Sequence, residues 1–384
     1  MNFFVGEFNI PLDHFQIANI PVKSIAFPIG ISFIMFHKIS YLVDIYHRKA
    51  TASETFLDYL LYIVMFPKLI QGPIICYHDF THQIADNGPN DDGRFNGGFR
   101  FCIGLAKKTL IADPLGSVAD KVFGLGFDSM TMGYSWLGAL CYTLQIYFDF
   151  SGYSDMAIGI GKMIGVRINE NFNRPYIAKN FTDFWRRWHI TLSNWFKNYL
   201  YIPLGGNRKS SFRTYANLWI VFLTSGLWHG ANWTFIVWGA YHGMFLVADK
   251  LFWLKVSCRL GKIVTVPLTF LLVLIGWVIF RSESIGFAEQ YFFRMFDISR
   301  MNNMITDVLS VELIGNRQMA ILFIALAISL FPESGFETIK NKIDCYSARP
   351  FGLWIKAIVT LSLIWLSLMS LTNNSFKPFI YLRF

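Results

Sequence analysis

His229 is the residue whose surroundings in this sequence most favour acid–base chemistry. It lies in T-S-G-L-W-H-G-A-N-W-T-F, Thr224–Phe235, inside the 35-residue run Thr214–Ala248, which contains no Lys, Arg, Asp or Glu. With Trp228 and Trp233 nearby we expect an apolar, mostly dry pocket, where burial disfavours the charged imidazolium. A neutral imidazole can take the proton of an alcohol as the alcohol attacks an acyl carbonyl. A structural histidine that is hydrogen-bonded between helices is the alternative, and spacing alone does not decide between them.

Small residues flank this histidine, and a second histidine follows it. Gly226 and Gly230 bracket His229, and glycines let another backbone approach closely or let a helix open. His242 comes 13 residues later, which is roughly 140° away on an ideal helix. We therefore expect a structural role for His242.

A third histidine, His189, lies in the aromatic segment Thr182–Tyr199. At 100° per residue, the tryptophans and His189 share one face of a helix and the charged residues share the other. The pattern predicts one amphipathic helix, capped by Asn180 or Thr182, that lies at an interface or lines a polar cavity. The histidine then either belongs to an interfacial aromatic belt or faces a site, and this segment alone leaves both open.

Asp149 and Asp155 are the carboxylates to consider for acid–base work. Six residues place them about 240° apart on a helix, so they share no face unless Gly152 breaks it. Paired-carboxylate chemistry is therefore weakly supported, and a helix-end or buried hydrogen-bonding role for Asp149 is at least as well supported. The sequence offers no clustered ligands for a metal site, and its five cysteines lack C-x-x-C spacing.

The elements that must position these residues are membrane helices. The chain has 384 residues, 54% hydrophobic and only 15% charged, whereas soluble domains carry about 25% charged residues. Roughly 20 apolar residues cross the hydrocarbon core as a helix. The charge-free runs are Ser129–Phe148, Thr214–Ala248, Ile263–Phe280, Gln318–Pro332 and Ala357–Phe376. We predict an all-α, polytopic transmembrane helical bundle with interfacial and re-entrant helices and roughly eight to ten membrane segments.

Interrupted hydrophobic segments and polar connections complete this organisation. Ser24–Asp44 and Phe56–Cys76 are predicted as helices that proline breaks or tilts. Ala85–Gly98 is predicted as a Gly-rich loop, and Ser282–Val311 and Glu333–Pro350 as polar or amphipathic connections. No internal repeat divides the sequence, and its start does not predict a cleaved signal peptide.

The net charge of +9 is best explained by membrane topology. Ten Lys or Arg fall between Lys162 and Arg213, against only Glu170 and Asp183, and they flank hydrophobic segments. Excess positive charge in short loops normally faces the cytoplasm and meets anionic lipid. The expected partner is thus the lipid membrane, and no nucleic acid.

Six segments occur in a fixed order along the chain. They are F-P-K-L-I-Q-G-P-I (Phe66–Ile74), Q-I-Y-F-D-F-S-G-Y-S-D-M-A-I-G (Gln145–Gly159), E-N-F-N-R-P-Y (Glu170–Tyr176), D-F-W-R-R-W-H-I-T-L-S (Asp183–Ser193), Y-L-Y-I-P-L-G-G-N-R (Tyr199–Arg208) and G-L-W-H-G-A-N-W (Gly226–Trp233). Together with the ending F-I-Y-L-R-F, this set resembles the membrane-bound O-acyltransferase family. It is most similar to the alginate O-acetyltransferase branch, which includes peptidoglycan-acetylating members, and the likeness covers nearly the whole chain.

The resemblance implies a helix bundle with a funnel through the membrane and an essential histidine in the W-H-G motif, here His229. It implies a second site histidine in the W-R-R-W-H motif, here His189. The family moves an acyl group from a cytoplasmic donor to an acceptor on the far side, often a carbohydrate hydroxyl, with a periplasmic esterase-like partner. Acetyl-CoA or another acetyl donor is expected as a substrate, and no bound cofactor is expected.

Two departures from the family pattern matter. Relatives usually carry further hydrophobic segments before the point where this sequence begins, so residues 1–384 are expected to form one integral-membrane acyltransferase domain that lacks those helices. The branch commonly has a basic residue where Cys76 stands, so no donor contact is carried over there. Arg186 and Arg187 are candidates to meet donor phosphates, with solvated topology charges as the alternative.

These observations predict a multi-pass O-acetyltransferase of the inner membrane that acts on an extracytoplasmic polysaccharide. His229 is expected to be its general base or relay, and His189 to line the same tunnel and orient donor or acceptor. The rival within the family is D-alanyl transfer to teichoic acid. The rivals from other classes are a transporter or lipid-linked sugar flippase with proton-relay histidines, and an inactive scaffold.

Overall fold

The computed structural model describes residues 30–84, 91–299, 313–347 and 350–373, together with residues 5, 7, 9, 10, 12, 20, 88, 378 and 379. The regular elements in these ranges are all helical, which confirms the predicted all-α class. In chain order the α-helices are α1 (Ile31–Tyr46), α2 (Phe56–Val64), α3 (Tyr77–Ile84), α4 (Asp91–Ala106), α5 (Asp113–Phe123), α6 (Met132–Ile164), α7 (Phe181–Arg187), α8 (Ile190–Phe196), α9 (Ser211–His229), α10 (Trp233–Ala248), α11 (Leu254–Leu260), α12 (Lys262–Arg281), α13 (Ile285–Met295), α14 (Asn316–Leu330), α15 (Glu333–Ser347) and α16 (Pro350–Asn373). Short π-helical turns follow α4, α8 and α10.

The long charge-free run Thr214–Ala248 folds as two packed helices, α9 and α10. The chain leaves α9 at Gly230, and Asn232 begins α10 by accepting the backbone N–H of Thr234 on its side chain at 3.1 Å. Such a cap stabilises a helix start by about 1 kcal/mol. His229 is therefore the last residue of α9, at the turn between the two helices.

Glycines allow α9 and α10 to touch backbone to backbone, as the sequence predicted for Gly226. A Cβ at Gly226 would lie 2.3 Å from the carbonyl oxygen of Phe235, and one at Gly239 would lie 2.3 Å from that of Phe222. Real Cβ atoms do not approach so closely, so these positions require glycine. The contact fixes where His229 stands relative to α10.

The central helix α6 packs against α4 through a second set of glycines. A Cβ at Gly104 would lie 2.4 Å from the carbonyl oxygen of Gly152, and one at Gly97 would lie 2.6 Å from that of Gly159. Gly152 therefore serves close packing and does not break α6, which is continuous over 33 residues and largely buried. Asp149 and Asp155 consequently stay on different faces.

The loop predicted over Ala85–Gly98 is wrong from Asp91 onward, where α4 begins. Gly97 is a helix contact residue, so its presence did not signal a turn. Residues 85–87, 89 and 90 lie outside the described residues, as do residues 24–29, 300–311, 348–349 and 374–376 of the other predicted segments.

Two described helices are long and apolar enough to cross a membrane, namely Lys262–Arg281 and Phe351–Thr372. A third span results if Asn316–Leu330 and Glu333–Ile339, which meet at 94°, count as one. This is fewer than the predicted eight to ten segments, because other runs are divided between two helices, as in Thr214–Ala248, or lie in a long helix of lower hydropathy, as in α6. Only 11% of the most apolar stretch of Phe351–Thr372 is buried inside the protein, so this helix presents most of its surface outward.

Candidate active site

His189 lies at a helix break. α7 ends at Arg187 and α8 begins at Ile190, so the single helix predicted over Thr182–Tyr199 is wrong at this point, although the predicted cap Asn180 does hold the start of α7. His189 itself has φ 44° and ψ 54°, in the left-handed region. Such a conformation costs a non-glycine residue about 1–3 kcal/mol and persists only where its surroundings enforce it.

The segment that starts at Asn171 supplies this enforcement for the backbone. The carbonyl oxygen of Asn171 accepts the N–H of Ile190 at 2.9 Å, and the N–H of Asn173 donates to the carbonyl of Arg187 at 2.8 Å. The two ends of the break are thereby tied to one extended stretch. This stretch belongs to the E-N-F-N-R-P-Y motif, and the sequence alone does not mark Asn171 as a partner of His189.

The Asn171 side chain continues the network to the imidazole. Its Oδ1 lies 3.0 Å from Nδ1 of His189 and accepts the N–H and the hydroxyl of Thr191 at 3.2 and 2.9 Å. The Thr191 hydroxyl in turn accepts the N–H of Ile74 at 3.0 Å. Three of the sequence motifs therefore meet at His189.

The other ring nitrogen of His189 points into the protein. Nε2 is buried and has no hydrogen-bond partner among the described residues, and the residue is only 1% exposed. The ring of Phe150 packs edge-on against the imidazole at 4.7 Å between centroids. Burying a polar atom without a partner costs free energy.

His229 stands in an aromatic enclosure. Its ring centroid lies 4.7 Å from Trp228, 5.1 Å from Trp238 and 5.3 Å from Phe280, each packed edge-on. His229 as a whole residue is half-buried, at the turn that ends α9. The expected neighbour Trp233 does not belong to it, since that side chain is 50% exposed.

The structure brings the three histidines of the sequence analysis together. His229 lies close enough to both His189 and His242 to interact with them electrostatically. Trp238 packs between His229 and His242, with centroid distances of 5.1 and 4.7 Å. The residues proposed from two separate motifs therefore share one buried aromatic region.

His242 has the contacts of a packing residue. It is fully buried, and its Nδ1 accepts the indole N–H of Trp185 at 3.3 Å. Its Nε2 packs against Gly276, where an added Cβ would lie 3.1 Å away. Like Nε2 of His189, this atom is buried without a hydrogen-bond partner among the described residues, so the structural role expected for His242 stays a prediction.

Asp149 and Asp155 do not form a catalytic pair. Asp149 contacts Lys108 at 2.7 Å, whereas Asp155 contacts Lys107 at 2.6 Å and Arg100 at 2.7 Å. Each carboxylate is neutralised by cations from α4 and the π-helical turn after it. Arg100 also binds Glu170 at 2.5 Å, which anchors the residue just before Asn171.

Among the arginines proposed for donor phosphates, Arg187 is already engaged. Its guanidinium binds Asp183 at 2.8 Å and Glu333 at 3.3 Å, while Arg186 is exposed. Arg174, which sequence reasoning passed over, has both terminal guanidinium nitrogens buried without a partner among the described residues. Burial lowers the pKa of this guanidinium below its ordinary value, although the carboxylates of Glu333 and Glu337 act in the opposite direction.

A second group of buried polar side chains lies in the F-P-K-L-I-Q-G-P-I segment and on α1. His37, Lys68 and Gln71 are each fully buried, and their polar side-chain atoms have no hydrogen-bond partner among the described residues. The Lys68 ammonium lies 3.9 Å from the ring centroid of Tyr62. This contact is a cation–π interaction.

Comparison with known proteins identifies the family of this chain. The model of MBOAT, the membrane-bound O-acyltransferase family, matches residues 23–281. A probable alginate O-acetylase from Pseudomonas putida is 40% identical over the whole of this chain and 80% of its own length. A peptidoglycan O-acetyltransferase from Helicobacter pylori is 34% identical over the whole chain and 79% of its own length. A teichoic acid D-alanyltransferase from Bacillus subtilis is 29% identical over 71% of this chain and 73% of its own length.

The family match covers α1 to α12. It therefore includes His189, which directly precedes α8, and His229, the last residue of α9. The likeness to full-length relatives extends it over the rest of the chain. With an all-helical structure that has helices able to span a membrane, this chain belongs to the membrane-bound O-acyltransferase family and is a membrane acyltransferase.

Proposed function

We propose that this acyltransferase moves an acetyl group to hydroxyl groups of a polysaccharide outside the cytoplasm. The observation that carries the proposal is the convergence of His189 and His229 in one aromatic region, where rings pack from Trp188 through Trp277 and Trp238 to His229. Relatives that align with the whole chain are named for acetylating alginate and peptidoglycan. The D-alanyltransferase is less similar and matches a smaller share of the chain. Acetyl transfer is therefore favoured over D-alanyl transfer.

The proposed chemistry is general-base catalysis. An acceptor hydroxyl attacks the acetyl carbonyl carbon, and the imidazole of His229 takes the hydroxyl proton as the new C–O bond forms. The tetrahedral intermediate then expels the donor's leaving group, and the imidazolium returns the proton to that group. His189 lines the same site and orients donor or acceptor. A positioned base of this kind contributes about 10²- to 10⁴-fold to the rate.

The aromatic enclosure suits this reaction. Trp228, Trp238 and Phe280 surround His229 with apolar surface, which limits the water that would otherwise hydrolyse the acyl donor. His229 is half-buried as a whole residue at the turn that ends α9, and in this proposal the acceptor reaches the imidazole there.

The proposed donor is acetyl-CoA or another cytoplasmic acetyl donor. In this proposal the basic stretch from Lys162 to Arg213 faces the cytoplasm, because excess positive charge in short loops normally lies on that side of the membrane. Arg174 and Arg186 are available there for donor phosphates, because Arg187 is occupied by carboxylates. Where a periplasmic esterase-like partner acts on the far side, it would supply the acceptor hydroxyl at His229 and then pass the acetyl group to the polymer.

The test compares His229→Ala with the parent protein in cells whose surface polysaccharide is analysed for ester-linked acetate. We expect His229→Ala to lower acetylation by about 100-fold or more at equal membrane abundance. The matched control is His82→Ala, which changes an exposed histidine on α3 and should leave acetylation unchanged. Unchanged acetylation in His229→Ala would contradict the proposal, and ester-linked D-alanine in place of acetate would assign the rival reaction.

A further inference from the structure

We propose that Asn171 is a positioning residue that holds His189 as the Nδ1-protonated tautomer, so that Nε2 is the basic nitrogen of this histidine. The inference rests on the proposed function only for its catalytic consequence, since the tautomer itself is a property of the folded protein. In this arrangement His189 is a neutral base or hydrogen-bond acceptor. Asn171, from the E-N-F-N-R-P-Y motif, sets the orientation of its ring.

The neighbours of Asn171 fix the orientation of its side-chain amide. The backbone N–H of Thr191 can only donate, and it lies 3.2 Å from Oδ1 of Asn171. At the other end of the amide, Nδ2 donates to the hydroxyl oxygen of Ser154 at 3.1 Å. Asn171 is completely buried, so water does not offer an alternative arrangement. The atom that meets His189 is thus the carbonyl oxygen.

This orientation determines which ring nitrogen of His189 carries the proton. A carbonyl oxygen can only accept, so the ring nitrogen that lies 3.0 Å from it must carry hydrogen. A neutral imidazole has one N–H, and Nε2 therefore keeps its lone pair. Nε2 is also the nitrogen that is buried without a partner among the described residues.

His242 shows the opposite arrangement a short distance away. The indole N–H of Trp185 can only donate, so Nδ1 of His242 is an acceptor and its proton is on Nε2. That N–H packs against Gly276. Both Nε2 atoms are buried without a partner among the described residues, but that of His189 carries a lone pair and that of His242 carries hydrogen.

Asn171 also supports the backbone from which His189 projects. Its carbonyl oxygen accepts the N–H of Ile190 and its Oδ1 accepts the N–H of Thr191, the first two residues of α8. Free N–H groups at a helix start need such partners. A single residue thus fixes both the left-handed turn and the proton position, and a test must separate the two effects.

The direct measurement is ¹⁵N NMR of the full-length protein in lipid nanodiscs, with label in the histidine rings. His189→Gln identifies the signals of His189. We expect a protonated Nδ1 and an unprotonated Nε2 in the parent protein, and loss of this preference in Asn171→Leu. The matched control Asn217→Leu removes another fully buried asparagine, which donates to the carbonyl of Gly206 at 3.0 Å, and should leave the His189 signals unchanged. A proton on Nε2 in the parent protein would overturn the proposal.

Asn171→Asp keeps the folded state testable, because a carboxylate can still accept from Thr191 and from Nδ1. Its negative charge stabilises the imidazolium, so the His189 signals should switch to the charged form at a higher pH than in the parent protein. A residue with a purely structural role would not move this titration. Titration at an unchanged pH would count against contact between residue 171 and the imidazole.

Cellular acetylation connects the tautomer to function. Asn171→Leu should lower polysaccharide acetylation by about tenfold or more at equal membrane abundance, and Asn171→Asp should retain more activity than Asn171→Leu. Full activity in Asn171→Leu with an altered tautomer would overturn the catalytic consequence. Full activity in His189→Gln would instead contradict the role of His189 in acyl transfer, and the NMR result would still stand.

Discussion

Which ring nitrogen of a neutral histidine can act as a base depends on which one holds the proton. The neighbours of His189 and His242 set this position in opposite ways. The carbonyl oxygen of Asn171 requires an N–H on Nδ1 of His189, whereas the indole N–H of Trp185 requires a lone pair on Nδ1 of His242. The roles expected for these two histidines therefore follow from contacts made by other segments of the chain.

Asp155 offers a test of whether the carboxylates of α6 are structural. Asp155→Asn removes the charge that faces Lys107 and Arg100, and breaking a largely buried ion pair costs about 3 kcal/mol. We expect a clear loss of thermal stability in detergent, with acetylation per folded molecule retained. Asp128→Asn, on a fully exposed side chain, should change stability by less than about 0.5 kcal/mol. Loss of acetylation in a stably folded Asp155→Asn would instead point to catalysis.

The candidate site was partly accessible from the sequence. His229 and His189 were named because their motifs resemble those of the family, whereas spacing alone left both open. Asn171 was not found, since a lone asparagine in a loop has no periodicity that marks its partners. Its role depends on a contact with a helix start 18 residues further along the chain, and such contacts are set only by the fold.

At the scale of elements, the position of His229 depends on the glycine contact between α9 and α10. Gly239→Ala would place a methyl group 2.3 Å from the carbonyl oxygen of Phe222, so the two helices must separate. We expect a loss of about 1–3 kcal/mol in stability and reduced acetylation, measured by thermal unfolding and by ester-linked acetate.

Gly243→Ala is the matched control on the same helix. The nearest atom to its added Cβ is Cβ of Phe222 at 3.4 Å, an ordinary contact, and alanine favours a helix over glycine by up to about 1 kcal/mol. Stability and acetylation should therefore be kept or slightly raised. Equal losses in both variants would show that the close contact at Gly239 does not matter.

The break between α7 and α8 shows why some element boundaries escape sequence patterns. The aromatic residues keep a helical spacing on both sides of Trp188 and His189, so the pattern predicts one helix over Thr182–Tyr199. The break itself is a single left-handed residue, and it exists because the segment at Asn171 binds both of its ends. Hydrophobic periodicity carries no information about such a partner.

At the scale of the whole molecule, the prediction of an all-α membrane protein is correct. The predicted number of membrane segments exceeds the number that the hydropathy of the described helices supports. Ile263–Phe280 and Ala357–Phe376 correspond to α12 and α16, which do have the length and apolarity of spans. The run Ser129–Phe148 became part of α6, whose later turns carry Asp149 and Asp155. The many Tyr, Gly and Ser residues of this helix, together with its aspartates, lower its hydropathy although the helix is largely buried.

The outward surface of α16 gives a test of membrane contact. Leu361 lies near the middle of this helix and is 67% exposed, so Leu361→Lys would put a charge at the depth where it costs about 2.5–3.5 kcal/mol. We expect a smaller fraction of the protein to resist alkaline carbonate extraction. Phe351→Lys, at an exposed position of the helix end, should be tolerated because lysine there can reach the interface. Equal extraction of both variants would contradict lipid contact by the middle of α16.

The ion pairs between α4 and α6 have a consequence for how the protein is made. Arg100 and Lys107 meet Asp155 beside glycines that let the two backbones touch. Alone in lipid, either segment would carry charges without partners, and such charges oppose insertion. Together the charges are compensated, so the two segments are expected to leave the translocation machinery as a pair. We therefore expect α4 to insert stably only when α6 is present to pair with it.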